Sequence, residues 1–113
     1  MSSLRNRVIL IGRVGAQPET KTLESGSQYT RFSIATSESY KNDEGEKVED
    51  TQWHNIIVWD KKAEIAQKYL KKGSEVAIEG KLVNNHYTDK EGNKKYTTDI
   101  VVSELLLIGD KKD

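Results

Sequence analysis

The sequence contains no cysteine and a single proline. Without thiols there is no disulfide framework, no thiolate metal site and no cysteine nucleophile, and the cytosol is the expected compartment. A surplus of either charge is also missing: 18 Lys and Arg face 18 Asp and Glu. Phosphate binders ordinarily carry a basic excess, so this balance weighs against them at first sight. Long apolar runs are absent. The longest, such as Val8–Ile11 and Leu105–Ile108, are four residues, far short of the roughly 20 that span a bilayer. Residues Met1 to Arg7 have no apolar signal core, and no export is expected. Across 113 residues, 35% hydrophobic content against 32% charged leaves room for one small core and one domain.

The charge that is present is unevenly spread. Residues 41–50 hold five acids against two lysines, whereas residues 61–72 hold five lysines against Glu64 alone. Residues 1–22 add Arg5, Arg7, Arg13 and Lys21 against Glu19. A neutral total therefore accommodates a basic face opposite acidic loops, or an evenly mixed surface.

Period-two alternation dominates the chain, broken by loops rich in Gly, Asn, Asp and Ser. Residues 5–14 are apolar on both faces through their middle, which predicts a strand covered on both sides. Gly12 and Gly15 would permit the bend of a small barrel. Residues 28–36 put Phe32 and Ile34 on one face and Arg31 and Ser33 on the other. The acidic stretch from Lys41 to Asp50 reads as a turn or mobile hairpin tip. A third strand covers 51–59. One helix follows over 61–70, with Asp60 as N-cap, Ala63, Ala66 and Leu70 on one stripe, and Gly73 at the stop. Val76, Ile78 and Leu82 mark a fourth strand, and a turn at Asp89–Asn93 leads into a fifth over about Lys95–Leu107. The prediction is an all-β chain: a five-stranded oligonucleotide-binding (OB-fold) barrel with one short helix between strands 3 and 4.

Catalytic readings find little support. His54 and His86 have no cysteine to join them in a zinc site. His54 shares parity with Ile56 and Val58, which fits a hydrogen-bonded histidine at a core edge or subunit contact, and His86 reads as solvated near a strand end. No glycine loop of the phosphate-cradling type occurs. Ser25-Gly26-Ser27 lacks the strand–elbow–helix setting of a nucleophile and reads as a turn. The acids at 43–50 lack the spacing of a calcium loop. No enzyme, metal or cofactor is expected.

The aromatics carry more. Trp53, Asn55, Ile57 and Trp59 share one face of the third strand, and His54, Ile56 and Val58 share the other. Either the even face fills the core and both tryptophans point outward, or the reverse holds; periodicity leaves the two open. Tyr87 tips the balance outward, because its parity matches Glu79, Lys81 and Asn85. Tyr40 has the parity of Phe32 and Ile34, and pattern leaves its side open. Outward rings suit stacked bases, each worth roughly 1–3 kcal/mol whatever the base. Lys61 and Lys62, following Trp59, and Lys71-Lys72 at the helix end would supply phosphate contacts.

At these residues the sequence resembles the bacterial and mitochondrial single-stranded DNA-binding proteins of the homotetrameric type. The resemblance is carried by Asn6-Arg7-Val8-Ile9-Leu10-Ile11-Gly12, Gln17-Pro18-Glu19, Ala35-Thr36-Ser37-Glu38-Ser39-Tyr40 and Gln52-Trp53-His54 with Trp59. It continues through Ala63-Glu64-Ile65-Ala66, Tyr69-Leu70-Lys71-Lys72-Gly73-Ser74, Ile78-Glu79-Gly80-Lys81-Leu82 and Tyr96-Thr97-Thr98-Asp99-Ile100-Val101-Val102. These segments arrive in order from about residue 5 to 108. The resemblance implies a single-stranded DNA-binding OB domain over 1–108, a short end over 109–113, and a homotetramer, or else a dimer, that coats DNA in replication, recombination and repair. It implies base stacking on Tyr40, Trp53, Trp59 and Tyr87. It implies phosphate contacts from Arg7, Lys21, Lys61, Lys71, Lys72 and Lys95, and a subunit-interface place for His54. The implied location is cytoplasmic, at the nucleoid, with no membrane partner.

Departures from the family pattern are specific. Val83, Asn84, Asn85 and His86 precede Tyr87 where family members are basic, and Asn55 stands where Arg is common. Weaker binding and a shallower salt dependence are expected. Bacterial members normally continue to an acidic tip ending in Pro-Phe; this sequence ends at Asp110-Lys111-Lys112-Asp113, so recruitment of repair proteins by that route is not expected. Two alternatives are a dimeric primosomal accessory protein acting through protein contacts, and an OB-barrel nuclease.

Overall fold

The computed structural model describes residues 4–109. Its elements are β1 (Val8–Val14), β2 (Glu19–Thr22), β3 (Gln28–Lys41), β4 (Lys47–Trp59), α1 (Asp60–Tyr69), β5 (Glu75–Thr88) and β6 (Lys94–Gly109). Sheet order is β1-β5-β6-β4-β3-β2, and an added β1–β3 pairing over Arg13↔Ala35 and Val14↔Ile34 closes it. Five strands, β1, β3, β4, β5 and β6, thus form a closed barrel of the expected OB type. The helix lies between the third and fourth of them. β2 is a sixth strand that the sequence pattern did not announce, laid along β3 from Glu19↔Arg31 to Thr22↔Gln28. The expected C-terminal end over 109–113 falls mostly outside the described residues; Gly109 itself still belongs to β6.

Alternation builds the interior. Thr30, Phe32 and Ile34 from β3, Ile56 and Val58 from β4, Val76 and Ile78 from β5, and Ile100 and Val102 from β6 point inward and are buried. α1 plugs one end with Ala63, Ala66 and Leu70, the stripe the 3.6-residue period predicts. The buried Thr30 hydroxyl donates to the Ala63 carbonyl at 3.0 Å, tying the helix to β3. Close backbone approach, rather than a bend, explains Gly12: a Cβ there would press on the Ala35 carbonyl where β1 closes the barrel.

Several expectations need correcting. Asp60 is not the N-cap. Trp59 occupies that position in extended conformation without a side-chain cap bond, and Asp60 opens the helix with φ of 51°. That left-handed value is one an Asp tolerates better than most residues. Lys41–Asp50 is not all turn: only 42–46 turn, with Asn42 Oδ1 accepting from the Glu44 and Glu46 amides, while Lys47–Asp50 pair with Glu38–Lys41. β1 is covered on one face only. Val14 is buried and Val8 and Leu10 pack on the core, yet Ile9 and Ile11 remain 60% and 58% exposed.

Candidate nucleic-acid interface

Past the core, β3–β4 and β5–β6 continue as two-stranded arms, and their outward sides join across the β4–β6 pairing into one surface. On β3 and β4 this surface presents the cross-strand pairs Tyr29↔Trp59, Arg31↔Ile57, Ser33↔Asn55 and Ala35↔Trp53. Asn55 in turn faces Asp99 on β6, and Asp99 faces Val83 on β5. Asn85↔Thr97 and Tyr87↔Lys95 extend the same side toward the arm's tip. The open question of β4's orientation is thereby answered: Ile56 and Val58 fill the core, and Trp53 and Trp59 face outward at 62% and 39% exposure.

The rings differ in support. Trp59 leans on Tyr29 with centroids 5.2 Å apart and planes inclined by 44°. Trp53 rests on backbone, because a Cβ at Gly15 would overlap its ring. Gly15 is itself fixed by its amide, which donates to the Ser33 carbonyl at 2.9 Å. The two tryptophans stand six positions apart along β4, about 20 Å of path. Tyr87 is 56% exposed on the same side. Tyr40 is 54% exposed but pairs with Val48 on the other face of the β3–β4 arm, beyond the core. Its parity is the inward one, and it stays exposed because the barrel has already ended.

The basic candidates scatter around this surface. Lys21 is the cross-strand partner of Tyr29 and Lys95 that of Tyr87, so each flanks an aromatic ring. Lys61 is exposed at the start of α1, directly beyond Trp59 and Asp60. Lys71 and Lys72 are exposed past the helix end. Arg7 is engaged by Glu79, the β5 residue paired with Ile9, and sits with the exposed isoleucines instead of the aromatics. His54 is half-buried and hydrogen-bonded to the Thr36 hydroxyl at 3.0 Å, the state its parity suggested. His86 is exposed and lies 6.1 Å from the Tyr96 ring, centroid to centroid.

Sequence reasoning missed three residues on this side. Tyr29 supports Trp59, and its proximity to a tryptophan was hidden because the two meet only across strands. Arg31 and the buried Asp99 form an ion pair at 3.4 Å over a separation of 68 residues, which no local pattern signals. Among the described residues, no cluster of three or more His, Asp or Glu side chains is arranged to hold a metal ion.

Comparisons with known proteins agree on one family. A model of the "Single-strand binding protein family" matches residues 5–108. "Single-stranded DNA-binding protein 1" of Xylella fastidiosa is 42% identical over 114 residues, covering 100% of this chain and 83% of the relative. The "Single-stranded DNA-binding protein" of Neisseria meningitidis serogroup A is 43% identical over 108 residues, covering 96% of this chain but only 62% of the relative. Among solved structures, a Plasmodium falciparum SSB complex with ssDNA superposes with a TM-score of 0.83 at 34% identity, covering 96% of this chain and 97% of that one. A fold match of this quality and a family match over nearly the whole length leave one assignment: the chain belongs to the single-strand binding protein family.

Proposed function

We propose that the chain binds single-stranded DNA with little regard to sequence and shields it during replication, recombination and repair, without catalysis. Bases stack on Trp53, Trp59 and Tyr87, with Tyr40 meeting the strand from the other side of its arm. Lys21, Lys61, Lys71, Lys72 and Lys95 hold phosphates, and Arg7 adds a contact where Glu79 releases it. The observation that carries this reading is the pair of outward tryptophans, 62% and 39% exposed, on a surface flanked by lysines. Large apolar rings left in water are costly unless a ligand covers them. An accessory protein acting mainly through protein contacts gives no reason for such a spaced aromatic row. The cytoplasm, at the nucleoid, is the location this role requires.

Self-association into a homotetramer belongs to the same proposal. Ile9 and Ile11 on β1 and Leu106 on β6 are 60%, 58% and 66% exposed, on the two strands that flank β5. β1 pairs with β3 only at Arg13 and Val14, so the Val8–Ile11 edge beside this patch keeps backbone donors and acceptors open. An unpaired edge next to an apolar face suits a second copy of the same strand. His54 lies at the margin of the core, where a subunit contact is available to it.

Titrating oligothymidylate into the protein while following tryptophan fluorescence at several salt concentrations tests the binding reading. Strong quenching is expected, with affinity falling on a log–log salt slope of about 0.7 per phosphate contact. Absence of both quenching and binding at low salt returns the tryptophans to a protein contact and ends the proposal.

Gly15 supplies a further expected result. Gly15→Ala pushes the Trp53 ring off its backbone seat, and oligothymidylate affinity drops roughly ten-fold, the worth of one stacked base. In a Trp53→Ala background the same change has little further effect, because there is no ring to displace. Equal losses in both backgrounds would show that Gly15 acts on the fold and not on the ring.

A further inference from the structure

Asp99 is the one charged side chain that is buried among the described residues, 1% exposed, and it sits in the middle of the aromatic surface. Its Oδ1 accepts from Arg31 Nη2 at 3.4 Å, and its Oδ2 accepts from Asn85 Nδ2 at 2.6 Å. Arg31 lies on β3 two residues beyond Tyr29, and Asn85 lies on β5 two residues before Tyr87. The Trp59–Tyr29 pair, Trp53 and Tyr87 therefore surround this polar cluster. Bases stacked on those rings would bring their edges over it.

A buried carboxylate on a polyanion-binding surface is costly unless it is paired. Arg31 pairs it, and the two charges cancel at a distance, so the pair does little to draw a phosphate. What remains is a guanidinium tethered at one nitrogen, with its side chain 49% exposed and its other N–H donors available. A planar donor fork held in one orientation suits an uncharged acceptor pair. Guanine offers adjacent O6 and N7 acceptors, whereas adenine puts an amino donor in place of O6.

We propose that Arg31 reads a base edge on this surface and gives otherwise sequence-tolerant binding a preference for guanine, with Asp99 and Asn85 as its positioning residues. The inference rests on the reading that bases stack on the surrounding rings. It also accounts for a basic residue on β3 while the residues before Tyr87 are neutral.

The test uses short thymidylate oligonucleotides carrying one central guanine or one central adenine, measured beside plain oligothymidylate. The wild-type protein is expected to bind the guanine strand about five-fold more tightly than the adenine strand, the lower end for a bidentate contact. Arg31→Lys keeps the charge and loses the fork, so the ratio falls to about one while the salt slope, which counts phosphates, holds. Asp99→Asn lowers the ratio by loosening Arg31. Should that variant fail to fold, Asn85→Ala at an exposed position removes the second hydrogen bond and lowers the ratio in its place. A ratio of one in the wild type, or a ratio that survives Arg31→Lys, overturns the proposal. So does an Arg31→Met variant that weakens every strand equally and flattens the salt slope by about 0.7, since that marks a phosphate contact. Failure of the wild type to bind plain oligothymidylate removes the stacking reading and this one together, whereas binding with a ratio of one removes this one alone.

Discussion

Replacing Trp53 and Trp59 together with alanine is expected to weaken oligothymidylate binding on the order of 10²- to 10⁴-fold, from two stacked bases at roughly 1–3 kcal/mol each. The single variants should be unequal. Trp53 is 62% exposed and stands alone on Gly15, so its loss leaves backbone where a ring stood. Trp59 is 39% exposed and leans on Tyr29, whose ring becomes accessible once the indole is gone and recovers part of the stacking. Trp53→Ala therefore costs more than Trp59→Ala, and Trp→Phe at either site restores most of the affinity. Folding stability should change little, because neither ring belongs to the buried core. Competition against a labelled strand, read by anisotropy, measures the wild type and every variant without relying on tryptophan emission. A double variant that loses less than about five-fold would leave phosphate contacts as the main source of affinity and end the stacking mechanism.

What made this surface legible was parity, and what hid parts of it was distance along the chain. Trp53 and Trp59 share a face in any strand, and the only question was which face the core would take. The run Ile56-Ile57-Val58 does not decide it locally, since Ile57 on the outer side is also buried, at 8% exposure, between Arg31 and Val101. The helix was readable because Ala63, Ala66 and Leu70 repeat at helical spacing. β2 was not, because Glu-Thr-Lys-Thr has no apolar alternation and owes its strand form to the hydrogen bonds β3 offers. The same holds for Lys47–Asp50, four polar or half-buried residues held extended by pairing with β3. The Arg31–Asp99 pair exists because β3 and β6 both flank β4, a fact of topology that residue spacing does not carry.

β1 taught the complementary lesson. A strand apolar on both sides suits two covers, and this chain provides one. Under the proposed self-association the exposed Ile9 and Ile11 mark where the second cover lies, and the expected consequence is large. Ile9→Asp with Ile11→Glu should break the proposed homotetramer into dimers or monomers in sedimentation equilibrium or native mass measurements. Each isoleucine forfeits about 1.5–3 kcal/mol of burial, and each carboxylate adds the cost of being buried unpaired. Symmetry repeats the loss in every copy. Melting of the isolated subunit should be little affected, because both positions already face water in the single chain. DNA binding then separates by length. A strand short enough for one domain keeps its affinity, since Trp53, Trp59 and Tyr87 lie on a different side. A long strand loses affinity by 10²-fold or more, because linked domains no longer raise one another's effective concentration. A variant that retains the wild-type mass would place the interface elsewhere. A wild-type protein that is itself monomeric would mean that β1's second face is covered by something other than its own kind.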